Sequence, residues 1–181
     1  EDGLKQHFFD VAESVDIPIV IYNNPLYTGN PMSPQLMAEI MQHPNIIGGK
    51  LSQDDMGQLV ETIRLTSGHV SVNTGIDSQF YPALCIGSQG IFSTASCVIP
   101  KQMVDIYNYF IAGRFEEARN LHMKVQVLNR FLEYDPGYVA PAKEALAMLG
   151  IPCGDARKPL PPLTDEERKG VKAALQELEL L

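Results

Sequence analysis

The chain has 181 residues, 45% hydrophobic and 20% charged, an ordinary globular composition that excludes disorder and collagen-like repeats. Fourteen Lys and Arg against 22 Asp and Glu leave a net charge of −8, with the acids scattered along the chain, so nucleic acid is not an expected partner. The longest apolar runs, such as residues 17–22, fall far short of the roughly 20 residues that span a bilayer, and no membrane partner is expected either.

A helical spacing of Leu4, Phe8, Val11 and Ala12 opens the chain, and no charged segment leading into an apolar one precedes it. Such a start reads as the middle of a domain. The helix, residues 3–14, leads through Asp16 and Pro18 into the run 17–22, apolar at successive positions, which predicts a strand buried on both faces. Ser33 and Pro34 supply an N-cap and first turn for a helix reaching Met41, and Pro44 precedes a second strand, residues 46–50. A third helix, residues 54–66, is stopped by Gly68 and followed by a strand at 70–73 and a turn at Gly75. Asp54 and Asp55 at its start suit the positive end of a helix better than a metal. A short helix at 79–86 and a fourth apolar run at 90–94 complete the alternation.

Helices alone follow, at 101–112, 114–132, 139–148 and 165–180, with Thr164 and Glu167 forming a capping box and Pro159, Pro161 and Pro162 an extended connector. Strands separated by single helices pair in parallel, which leaves a doubly wound open sheet or a (β/α)8 barrel. A complete barrel takes about 250 residues. By this count the chain is half a barrel or a small open sheet. Cys85, Cys97 and Cys153 have no CxxC spacing, which points away from a disulfide framework or zinc cage and toward a reducing cytoplasm. His7, His43, His69 and His122 are isolated in sequence and outline no metal site.

In parallel α/β folds ligands gather at the carboxyl ends of the strands. Tyr22, Asn23, Lys50, Gly75 and Ser93 stand at or near those ends. An ammonium at a buried strand end is poorly solvated, which favours the neutral amine, and a neutral amine adds to a ketone carbonyl to form a Schiff base. The plainer reading is a lysine whose stem lies along the strand end while its head reaches water. Tyr22 has two readings as well, an acid–base phenol or a structural cap on an apolar strand. Gly48-Gly49-Lys50 is not a P-loop, because the earlier glycine and the Ser/Thr after the lysine are replaced by Pro44 and Leu51.

Tyr22-Asn23-Asn24-Pro25 followed by Thr28-Gly29, then Gly48-Gly49-Lys50, Asn73-Thr74-Gly75 and Gly90-Ile91-Phe92-Ser93 with Pro100 downstream, resembles the dihydrodipicolinate synthase / N-acetylneuraminate lyase family. The segment Gly113-Arg114-Phe115-Glu116-Glu117-Ala118 agrees, and the likeness runs along nearly the whole chain. The resemblance implies the C-terminal half of a (β/α)8 barrel, strands 5–8, at residues 1–112, and a C-terminal helical extension at 113–181. It implies that Lys50 forms a Schiff base with pyruvate or another 2-keto acid without a cofactor, and that Tyr22 transfers protons. By the same resemblance Gly75 and Phe92 match positions that line the keto-acid pocket, with Ser93 and Thr94 beside them. A cytoplasmic homo-oligomer, a tetramer by resemblance, is implied.

The family's Thr-Thr carboxylate-binding pair and second relay tyrosine lie upstream of the opening helix, so the chain is expected to be a segment whose activity needs an upstream half. Tyr27 stands where members that use aspartate semialdehyde carry an arginine, and Leu51 where many carry a polar or acidic residue. A phenol in place of a guanidinium removes a carboxylate clamp and favours a hydroxyl-bearing partner such as a keto-deoxy sugar acid. Aldol addition, retro-aldol cleavage and dehydration remain open. So does a non-catalytic homologue that keeps the strand ends without a working relay.

Overall fold

In the computed structural model, residues 2–133 and 137–181 are described. Two compact units divide the chain, residues 1–92 and 93–181. The first alternates helix and strand: α1 (Asp2–Glu13), β1 (Ile19–Asn23), α2 (Pro25–Thr28), α3 (Pro34–Ile40), β2 (Ile46–Leu51), α4 (Met56–Thr66), β3 (Ser71–Thr74) and α5 (Phe80–Cys85). Local chemistry sets several of these bounds. Leu36 N donates to Ser33 Oγ at 3.2 Å to start α3, and Gly57 N to Asp55 Oδ1 at 2.8 Å to start α4. Ser67 and Gly68, both at positive φ (49° and 76°), turn the chain out of α4.

The strands form one parallel sheet in the order β1-β2-β3, with Tyr22 opposite Lys50 and Lys50 opposite Asn73. Period-two alternation gives the sheet two unlike faces. Ile21, Leu51 and Val72 point into a core with Leu36, Met37 and Ile40 of α3. A Cβ on Gly49 would stand 3.0 Å from Met37 Cε and 3.1 Å from Met41 Sδ, so the glycine lets the helix lie close against the strand. Val20 and Tyr22, on the opposite face, are 38% and 44% exposed. The expectation of a first strand buried on both sides is thus corrected: helices cover one face within this unit.

The fourth apolar run is also shorter than its sequence implied. Ile91 makes one parallel bridge to Thr74, and Phe92 N donates to Thr74 O at 3.1 Å. The chain then leaves the sheet direction for a 3-10 turn at Ala95–Cys97.

The second unit is helical: α6 (Pro100–Ile111), α7 (Phe115–Glu133), α8 (Val139–Met148) and α9 (Asp165–Glu177). The long α7 packs against α6, α8 and α9, burying Val125, Leu128 and Leu132 with Ile106, Ala145, Val171 and Leu175. The capping box forms as spaced in the sequence, with Glu167 N donating to Thr164 Oγ1 at 3.3 Å and Thr164 N to Glu167 Oε2 at 2.6 Å. Among the described residues no helix is long and apolar enough to cross a membrane.

Candidate active site

Parallel pairing brings Tyr22 and Lys50 to the carboxyl ends of adjacent strands, on the face the helices leave open. Lys50 Nζ lies 3.9 Å from the centroid of the Tyr22 ring and 5.9 Å from that of Phe92. A cation over aromatic faces gains about 0.5–1 kcal/mol where water still reaches it. No carboxylate pairs with Lys50 among the described residues; its amine is held by the rings and by the Tyr22 phenol.

The phenol is fixed from several sides. Tyr22 OH donates to Ser52 Oγ at 3.2 Å, and Asn24 Nδ2 donates to the phenol oxygen at 2.8 Å. Partial burial pushes the phenol's pKa up. Hydrogen bonds with Ser52 and Lys50, the Lys50 charge and the Asn24 amide together outweigh it and hold the group below its ordinary value.

Gly75 closes the site from β3. A Cβ there would fall on Ser52 Oγ and Lys50 Cε, and would lie 3.3 Å from Lys50 Cγ. Only a residue without a side chain lets Lys50 and Ser52 occupy that space. Gly75 N also donates to Leu51 O at 2.7 Å, which continues the sheet spacing past the end of β3.

Of the residues singled out in the sequence, Tyr22, Lys50, Gly75 and Phe92 come together in the first unit. Tyr27 sits on α2, 69% exposed, and its hydroxyl has no hydrogen-bond partner among the described residues. Ser93 opens the second unit, where its Oγ accepts from Ser96 N at 2.8 Å at the start of the 3-10 turn.

Two contributors escaped the sequence reading. Both bond the Tyr22 phenol; Ser52 follows Lys50 by two residues and Asn24 follows Tyr22 by two, and the period-two rule for extended chain places such neighbours on one side. Asn23, at the strand end beside Tyr22, turns inward: its side chain, 1% exposed, donates to Met32 O at 2.9 Å and accepts from Met32 N at 3.3 Å. It ties the far end of the segment after β1 back to the strand.

The model of the dihydrodipicolinate synthetase family matches residues 1–178. The chain belongs to this family. It is 36% identical over 180 residues to the 4-hydroxy-tetrahydrodipicolinate synthase of Archaeoglobus fulgidus, covering 99% of this chain and 62% of that protein. Among solved structures, a dihydrodipicolinate synthase from Thermotoga maritima superposes with a TM-score of 0.92 at 33% identity, over 99% of this chain and 62% of that one. A chloride-inhibited dihydrodipicolinate synthase from Acinetobacter baumannii complexed with pyruvate gives a TM-score of 0.90 at 29% identity, again over 99% and 62%. The chain spans 62% of the length of each of these family members.

Proposed function

We propose that this chain carries the Schiff-base chemistry of a class I lyase acting on pyruvate or a related 2-keto acid. Lys50 is the nucleophile and Tyr22 its proton-transfer partner. The observation that carries the reading is an amine without an acidic partner among the described residues, 3.9 Å from a tyrosine ring, at the carboxyl ends of paired parallel strands. The family relative complexed with pyruvate supports the choice of a 2-keto acid.

The chemistry follows from the amine. Its lone pair adds to C2 of the keto acid while the carbonyl π pair moves to oxygen, which takes up a proton. The nitrogen then loses a proton and the oxygen, protonated again, leaves as water, giving a C2=N iminium. The iminium draws electrons from C3, a C3 proton departs, and the resulting enamine attacks an aldehyde carbonyl or, in the reverse sense, is released by carbon–carbon cleavage. Each of these steps moves a proton near Lys50, where the Tyr22 phenol stands. Gly75 and Phe92 bound the space for the keto acid.

The reading extends to the architecture. Residues 1–112 form strands 5–8 of a (β/α)8 barrel with their helices, and residues 113–181 the C-terminal helical extension. An open doubly wound sheet carries helices on both faces and reverses its strand order at a switch point. Sequential order with one covered face supports a barrel wall, whose inner surface holds Tyr22 and Lys50. The rest of the barrel supplies the carboxylate-binding threonines and the second tyrosine, and the assembly is a cytoplasmic homo-oligomer, a tetramer by resemblance.

For the second substrate, the exposed phenol of Tyr27 favours a hydroxyl-bearing aldehyde or a keto-deoxy sugar acid over aspartate semialdehyde. A panel of these compounds decides the class, and a clear preference for the semialdehyde would overturn it. The keto-acid chemistry is tested without any second substrate. Enamine formation exchanges the C3 protons of pyruvate for deuterium in D2O, so proton NMR should show the methyl signal fading with the protein and persisting with Lys50→Ala. Equal exchange by the two proteins would contradict the reading.

A further inference from the structure

Asn24 occupies the N-cap position of α2, yet its side chain makes no cap hydrogen bond there. An N-cap asparagine ordinarily accepts from the second or third helical N–H. Here the backbone carbonyl of Asn24 takes the N–H groups of Tyr27 and Thr28 at 3.2 and 3.1 Å, and the amide turns to the Tyr22 phenol oxygen at 2.8 Å. Ser52 shows a matching arrangement on the other strand. Its N–H donates to Asn23 O at 3.0 Å, and its Oγ, packed against Gly75 beside Lys50 Cε, accepts the phenol's hydrogen at 3.2 Å.

We propose that Ser52 and Asn24 are positioning residues that set the direction of proton transfer at Tyr22. Ser52 draws the phenolic hydrogen away from Lys50, and Asn24 donates to the phenol oxygen from a second direction. What is left of the oxygen's acceptor capacity is then open to the Lys50 amine, whose Nζ lies 3.9 Å from the ring centroid. Once its own hydrogen has left by way of Ser52 to water, the Tyr22 phenolate receives the proton that nitrogen releases and returns it to the departing oxygen, so the proton moves between nitrogen and water without net gain or loss. The lowered pKa of Tyr22 agrees with this arrangement. Gly75 acquires a second reason to be a glycine, because a side chain there would displace Ser52 as well as Lys50.

The inference rests on the proposed keto-acid chemistry, and two readouts separate the two. The first needs no turnover: an ultraviolet difference titration of the protein against Tyr22→Phe isolates the Tyr22 phenolate. Its midpoint should lie below that of an ordinary tyrosine, about 10, and should rise in Ser52→Ala and in Asn24→Leu. The second is the rate of pyruvate adduct formation, quenched with borohydride at timed intervals across pH. Both variants should slow it by about tenfold or more at neutral pH and move its alkaline rise to higher pH, with Ser52→Thr restoring the parent profile.

An unshifted midpoint with an unshifted profile would overturn the proposal, as would a uniform loss at every pH, which marks mere packing. Adduct in the parent protein with unchanged variants overturns this inference alone; no adduct in the parent overturns the functional reading and this inference with it. Asn24 is only partly buried, so Asn24→Leu keeps the test decisive if Ser52→Ala fails to fold.

Discussion

Tyr22 and Lys50 are register partners across β1 and β2, and Lys50 Nζ sits 3.9 Å from the centre of the Tyr22 ring. Because strand side chains alternate, two residues directly opposite each other necessarily share a face. The sheet pairing itself therefore brings the amine to the phenol, and no loop conformation is needed to do so. That face is the one the helices leave open, so the pair is fixed by the strands and remains reachable.

Removing the phenol hydroxyl should separate chemistry from packing. Tyr22→Phe keeps the ring over Lys50 and deletes the group that exchanges protons, so keto-acid turnover should fall by about 10²–10⁴-fold with little change in thermal stability. Steady-state kinetics beside a melting curve checks this, and an unchanged rate would assign Tyr22 to packing.

Gly75→Ala should damage the site through crowding. The added carbon falls on Lys50 Cε and Ser52 Oγ, so both side chains must leave their places in the site. The expected result is a lower melting temperature together with a loss of Schiff-base formation larger than that of Ser52→Ala. Parent-like activity would show that the Lys50 side chain relaxes freely.

The strand ends carrying Lys50 and Tyr22 were legible in the sequence because glycine and proline punctuate the runs before them and parallel strands share one functional edge. The strand that ends at Asn23 was harder to judge. Ile17-Pro18-Ile19-Val20-Ile21-Tyr22 is apolar at every position, and such a run does not say which face its helices will cover. Ile91 and Phe92 read as a strand by composition but make one bridge, since pairing depends on a neighbour that local sequence does not reveal. Ser52 and Asn24 carry no such signal, because a serine and an asparagine after a strand ordinarily mark a turn.

Asn23 should govern the segment between β1 and α3. Its amide satisfies both backbone groups of Met32 from a buried position, and Asn23→Leu leaves that pair without partners at a cost of about 1–3 kcal/mol. Hydrogen exchange should show loss of protection at Met32. Full protection would mean the loop is held by other contacts.

The capping box gives the second unit an acid-sensitive helix. The Thr164 hydroxyl, and then its backbone N–H, hold the Glu167 carboxyl below its ordinary range. A carboxyl whose pKa is lower folded than unfolded favours the fold above its unfolded value, about 4.3, and that contribution is lost as pH falls through the lower folded value. Acid titration followed by exchange at the first turn of α9 should show fraying in that window, and Glu167→Gln should blunt the pH dependence. An identical acid response in the variant would contradict the assignment.

The central claim is that Lys50 forms the covalent bond to a 2-keto acid, and trapping tests it most directly. The protein is incubated with pyruvate, reduced with borohydride and measured by intact mass, and the modified peptide is sequenced. The account predicts a single stable adduct on Lys50 and none in Lys50→Ala. Adduct on a different lysine, or adduct formation that survives in Lys50→Ala, would contradict it.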